Sequence, residues 1–189
     1  MAWRGWNKNE YPYKNGVLDD KYAFDIICRK FDEFLKYPDY DLTPLTYYLK
    51  MLFENGDLYV SAKIHGKLKS KNVKLSSISY GNRGVKRSTW EHVIPVKVII
   101  EYALHLYTQG LFTLSKYIYL RNTFGNVCIV TSCENKALEQ AGLKQNLPQG
   151  TPIVATTINK RKEVYDLCSN VDPFCRYNVL NLKISAVKN

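Results

Sequence analysis

The chain has 189 residues, with 27 Lys and Arg against 17 Asp and Glu for a formal charge of +10, and 46% apolar and 23% charged residues. That apolar share excludes a disordered tail or a fibrous repeat and suits a single folded domain. The cationic surplus favours polyanionic partners, nucleic acid first, through long-range attraction and counterion release.

Five cysteines, Cys28, Cys128, Cys133, Cys168 and Cys175, fall at irregular spacing with no C-x-x-C pair. This excludes a secreted disulfide framework, so reduced and mostly buried thiols are expected. The last four meeting in space is the remaining route to zinc, and no zinc is expected. No run approaches the roughly 18 apolar residues of a membrane span, and Met1-Ala2-Trp3-Arg4-Gly5-Trp6 lacks the apolar stretch of a signal peptide, so a cytoplasmic protein with no membrane partner is expected.

Residues 1–18 read as an irregular arm bearing Trp3, Trp6, Tyr11 and Tyr13. From Leu18 to Tyr37, the residues Tyr22, Ile26, Ile27, Phe31, Phe34 and Leu35 recur at helical spacing opposite a charged face. Pro38 ends that helix. Thr43 as N-cap and Pro44 at the first helical position open a second helix, which stops at Asn55-Gly56 and completes a helical part over 19–56.

Residues 58–65 carry β-branched and aromatic residues in partial alternation and read as a strand, and Val73–Tyr80 as a second strand before a turn at Asn82-Arg83-Gly84. Trp90–Ile94 is a short strand. Pro95 then starts a helix that ends at Gly110, and another helix covers Thr113–Arg121. Val127–Val130 is an apolar strand that runs into Thr131-Ser132-Cys133-Glu134, an S/T-x-x-E capping box opening a helix to Gly142. In the C-terminal part, 143–189, the pattern gives a strand at Ile153–Thr157, a helix near Arg161–Cys168, a turn of helix capped by Asp172 with Pro173 at its first position, and a strand at Val179–Ile184. The fold class is α+β, with a helical N-terminal part and a small antiparallel sheet.

The basic charge is concentrated. Between Leu58 and Trp90 there is no Asp or Glu, while Lys63, Lys67, Lys69, Lys71, Lys74, Arg83, Lys86 and Arg87 all fall there among Ser, Asn and His65. Cations spread along a path, with polar donors between them, are what a phosphate backbone needs, and self-compensated surface charge would show acidic partners. Residues 141–162 are also free of acid and end in Lys160-Arg161-Lys162, a second candidate for phosphate contact.

The acid-free stretch ends at Trp90-Glu91-His92-Val93-Ile94-Pro95, where a carboxylate and an imidazole are adjacent at the close of a strand. Downstream, Gly125-Asn126 opens the apolar strand and Asn135 lies in the helix that the capping box begins. Together these features over 90–142 resemble the HNH endonucleases of the ββα-metal, or His-Me finger, class, and among them the type II restriction endonucleases.

The resemblance implies a ββα-metal motif with a helical insertion, because 33 residues separate His92 from Asn126 where compact members have a short loop. The zinc-binding cysteine pairs of many members are missing. It implies His92 as the general base, Glu91 and Asn135 as oxygen ligands to Mg²⁺ or Mn²⁺, and Asn126 as a residue that orients His92 or braces the loop. It also implies double-stranded DNA as substrate and a homodimer cutting a specific site.

Each residue also has an ordinary alternative: Glu91 in an ion pair, His92 as a satisfied strand-end histidine, Asn135 on a helix surface. His105 is accounted for by helix packing, His65 is a phosphate-contact candidate, and Arg176 suits DNA or a structural salt bridge equally. A homing or nicking nuclease, a non-catalytic DNA- or RNA-binding protein, and an RNA-directed nuclease that stacks bases on its aromatic residues are the competing functions.

Overall fold

The computed structural model describes residues 13–14, 17–37, 42–54, 57–74, 78, 85, 88–156, 158 and 162–187. In chain order these form β1 (Tyr13–Lys14), β2 (Val17–Leu18), α1 (Asp20–Leu35), α2 (Thr43–Leu49), a 3-10 turn (Lys50–Phe53), β3 (Leu58–Ser61), α3 (Ala62–Ser70), β4 (Ser88–His92), α4 (Val96–Thr108) and α5 (Leu114–Phe124). β5 (Val127–Thr131), α6 (Ser132–Gln140), β6 (Ile153–Ala155), β7 (Glu163–Tyr165), α7 (Cys175–Val179) and β8 (Ile184–Ala186) complete it. The class is α+β.

α1 begins where Asp19 accepts a hydrogen bond from Tyr22 N at 3.0 Å, and it buries Ala23, Ile26, Ile27, Phe31 and Phe34, one stripe at helical spacing. α4 is buried over the whole run Val98–Leu106, so it is the central rod around which α1, α2 and α5 pack. A helix buried on nearly all sides must be enclosed in this way, and its two buried polar residues, Glu101 and His105, face Lys97 at 3.9 Å and the Thr156 hydroxyl at 3.4 Å.

Beside this helical body lies a four-stranded sheet of order β4-β5-β3-β8. β4 and β5 are antiparallel with Trp90 opposite Ile129 and His92 opposite Val127, β3 and β8 are antiparallel, and β3 and β5 are parallel. Alternation along the strands sends Val60, Ile129 and Trp90 to one face, where Ile64 and Leu68 of α3 cover them, and Tyr59, Cys128 and Val130 to the other, where Leu138 of α6 and Tyr177 cover them. α3 and α6 therefore follow adjacent parallel strands yet lie on opposite faces.

One carboxylate joins the two strand-to-helix transitions. Glu134, 4% exposed, accepts from the Thr131 backbone N–H, the Thr131 hydroxyl and the Ser61 hydroxyl, each at 2.8 Å. Thr131 returns a bond from Glu134 N, closing the capping box, and Ser61 caps α3 by accepting from Ile64 N at 3.3 Å.

Several sequence expectations change. The sheet is mixed, not antiparallel, because β3 and β5 are joined by the long crossover that carries α3 to α5. The strand expected over 58–65 ends at Ser61, where the serine cap starts a nine-residue helix, so Lys63 lies on a helix and not on a strand, with Lys67 and Lys69 on the same helix. In place of the helix expected near Arg161–Cys168, the described residues 162–168 form none: Glu163–Tyr165 is a strand paired with Ile153–Ala155, and that hairpin lets Val164 join the core around α4.

The last strand starts at Ile184, since Val179 closes α7 and Asn181 turns the chain with a positive φ of 52°. Leu42, not Thr43, precedes the first turn of α2, and Asp172 bonds Phe174 N ahead of an α7 that begins two residues after Pro173. Val73, Lys74 and Ile78 are in no strand, and the rest of Val73–Tyr80, the Asn82–Gly84 turn and Trp3, Trp6 and Tyr11 lie outside the described residues. Only Cys128 is fully buried among the thiols; Cys133 is exposed and the other three are half-buried.

Glu134→Ala would leave the Ser61 hydroxyl and the Thr131 N–H without a charged acceptor, at a cost of about 3 kcal/mol, because bonds to charged groups are the strong ones and buried donors left unmade are costly. Glu134→Gln, which keeps an acceptor oxygen, should cost about 1 kcal/mol. Urea denaturation of the three proteins measures the difference, and equal midpoints would refute the linking role.

Candidate active site at the end of β4

The free end of β4 is built by three segments far apart in sequence. The first is the 3-10 turn after α2, whose last residue, Phe53, touches Gly125: a Cβ at position 125 would stand 1.9 Å from the Phe53 carbonyl oxygen and 2.5 Å from that of Arg121. Only glycine permits this approach. Tyr117 reinforces it by donating to Leu52 O at 2.6 Å, and Val127 N donates to Asp57 O at 3.2 Å.

The consequence is that Glu54 lies beside the start of β5, whose register partner is His92. His92 Nε2 stands 2.8 Å from Glu54 Oε1, with both side chains about 15% exposed, and Lys50 Nζ is 4.0 Å from the same oxygen. Glu54 is not legible in the sequence as a site residue, since it precedes His92 by 38 positions and only the Phe53–Gly125 approach brings it there.

Glu91, one residue earlier, points to the opposite face. There its Oε1 accepts from Nη2 of Arg176 at 3.0 Å, and Arg176 Nη1 donates to the carbonyls of His92 at 2.9 Å and Val93 at 3.3 Å. Arg176 is fully buried. Of the two alternatives for Arg176, the structural salt bridge is the one found, and its partner is the candidate metal ligand.

At Asn126 the backbone carbonyl accepts from Val93 N at 2.9 Å and the side-chain amide donates to Thr123 O at 3.1 Å. Asn135 lies in the first turns of α6, on the Glu91 side of the sheet, with its side-chain oxygen buried and, among the described residues, without a hydrogen-bond partner. This side is dry. Burial, with the Glu134 and Glu91 carboxylates adding to it, pushes the Cys128 thiol far up, and burial likewise holds the Tyr177 phenol protonated.

As to a divalent metal, Mg²⁺ is commonly held by one or two carboxylates, waters and substrate phosphates. Glu91 and Asn135 supply hard oxygen donors of that kind, and the unpartnered Asn135 oxygen has acceptor capacity to offer. Arg176 occupies one of the two Glu91 oxygens. Among the described residues no group of three His, Cys, Asp or Glu is arranged to hold a metal.

The predicted phosphate-contact lysines lie on the other face. Lys63, Lys67, Lys69, Lys71 and Lys74 are all exposed on α3 and just beyond it, as is His65, while Ile64 and Leu68 are buried. Lys162 is exposed near the start of β7; Arg83, Lys86, Arg87, Lys160 and Arg161 lie outside the described residues. His105 is buried and stands 3.4 Å from the Thr156 hydroxyl, the packing role expected of it. A groove of about 690 Å³ lined by Tyr59, Asp172, Phe174 and Lys183 contains none of these candidates.

No family model matches the chain, and neither a curated protein nor a solved structure matches it. No helix among the described residues is long and apolar enough to cross a membrane.

Removing one member of a buried ion pair strands the other, at about 3–5 kcal/mol. Arg176→Met should therefore destabilise the protein by about that amount, and adding Glu91→Gln to it should restore at least half of the loss. Denaturation midpoints of the two single variants and the double variant test this. Strictly additive losses would show that the pair has no coupling.

Proposed function

We propose that the chain is a metal-dependent endonuclease that hydrolyses phosphodiester bonds in duplex DNA, with the end of β4 as its reacting centre and α3 as its phosphate-contacting surface. The observation that carries this reading is the order of β4, its antiparallel partner β5 and the helix α6 that follows directly, with Glu91 and His92 at the strand end and Asn135 in the helix on the Glu91 side. We read this order, interrupted by α4 and α5, as the counterpart of the strand–strand–helix unit that the resemblance to HNH endonucleases implies.

In this reading His92 takes a proton from the attacking water, Glu91 and Asn135 hold Mg²⁺, and the α3 lysines lie along the phosphates. When bound, Mg²⁺ neutralises charge growing on the leaving oxygen. A homodimer acting on a palindromic site suits cleavage of both strands by one centre per chain. A second reading, duplex binding without hydrolysis, draws on the Glu91–Arg176 pair, which engages the carboxylate in a purely structural bond.

Incubation with plasmid DNA and Mg²⁺ separates the two. The endonuclease yields discrete or nicked products, and His92→Ala binds duplex with unchanged affinity in Ca²⁺ while cutting about 10²–10⁴-fold more slowly in Mg²⁺. Intact plasmid under all metal conditions would leave the binding reading.

The surface assignment has its own measurement. Replacing Lys63, Lys67, Lys69 and Lys71 with Ala should weaken binding and flatten the slope of log K against log salt by about 0.9 for each phosphate that is no longer neutralised. An unchanged slope would remove α3 from the interface.

A further inference from the structure

We propose that Glu54 is the positioning residue of the candidate base, holding His92 with the proton on Nε2 so that Nδ1 is the atom that receives the proton from water. This rests on the reading of His92 as general base and adds to it a residue outside the strand–strand–helix unit. A neutral imidazole has one N–H and one lone pair, and the hydrogen bond made at one nitrogen decides which is which. Glu54 Oε1, 2.8 Å from Nε2, can only accept when ionised, so Nε2 must donate. Among the described residues this is the one hydrogen bond of the His92 ring.

The carboxylate is itself fixed from outside the site. Its backbone follows Phe53, which is locked against Gly125, and Lys50 stands 4.0 Å from the same oxygen that faces the ring. An orienting group placed by packing costs little reorganisation when the base acts. The strand end thus carries two separate carboxylates with separate partners, Glu54 on His92 and Glu91 on Arg176, one on each face of the sheet.

The test uses the full chain labelled with ¹⁵N-histidine, with His92 resonances assigned by their loss in His92→Ala. Wild type should show, at a pH where the ring is neutral, a hydrogen-bonded Nε2–H and a bare Nδ1. Glu54→Ala should lose the protected N–H signal and lower kcat for plasmid cleavage by about 10- to 100-fold, less than the full worth of a base, with duplex affinity in Ca²⁺ unchanged. Glu54→Gln, of the same shape and with one acceptor oxygen, should fall between the two and guards against a folding defect in the alanine variant.

A neutral wild-type ring protonated at Nδ1 overturns the proposal. So does a Glu54→Ala enzyme that retains wild-type kcat while the wild type cleaves. A wild type that shows the Nε2–H signal and cuts no DNA upholds the tautomer assignment and overturns the nuclease reading on which its catalytic use depends.

Discussion

Everything at the end of β4 depends on a buried guanidinium. Arg176 has no solvent exposure, and an isolated charge there would be prohibitively costly, so its acceptors must be held in place by the surrounding fold. They are the Glu91 carboxylate and the carbonyls of His92 and Val93, three consecutive residues of one strand end. The short helix α7, which supplies Arg176, thereby fixes the backbone on both sides of the His92 side chain. Tyr177, next in sequence, fills the face beneath α6, so moving the guanidinium would also open that core.

A shared acceptor plays the same part at the two strand-to-helix transitions. β3 and β5 run parallel and each ends in a hydroxyl residue, Ser61 or Thr131, that caps the next helix. Because both hydroxyls donate to one Glu134 oxygen, the starts of α3 and α6 cannot drift apart although the helices cover opposite faces. The basic surface of α3 is in this way tied to β5, the register partner of the strand that carries the candidate centre.

Local chemistry is legible in the sequence and distant register is not. The capping box at Thr131–Glu134, the amphipathic stripe of α1 and the apolar α4 after Pro95 are all signals contained within one turn or a few turns of chain, and each stands where the sequence places it. The β3-to-α3 switch escapes sequence reading because Leu58–His65 alternates well enough for a strand, and what ends it is the Ser61 cap, whose hydroxyl is also bonded to a residue 73 positions away. The helix expected near Arg161–Cys168 fails for the opposite reason: three residues pair with Ile153–Ala155, and pairing overrides a weak local preference. Glu91 and His92 are recognisable as a motif, but their partners Arg176 and Glu54, 85 and 38 positions away, depend on tertiary packing.

The pleat of the sheet sets a condition on any joint action of Glu91 and His92. Neighbouring side chains in a strand point to opposite faces, so within β4 these two could never meet at one small ligand. At the last residue of the strand the condition relaxes, because the chain bends at Val93-Ile94 and the sheet no longer separates its faces. His92 emerges on the side of Trp90 and the lysine-bearing α3, Glu91 on the side of α6 and Asn135. A phosphodiester that followed the α3 cations would arrive from the His92 side and come within reach of Glu91 only by crossing the strand end. The bond that the proposed chemistry would break therefore has one place to lie, at the edge where β4 stops, and Arg176 and Glu54 are the residues that hold the two faces of that edge in position.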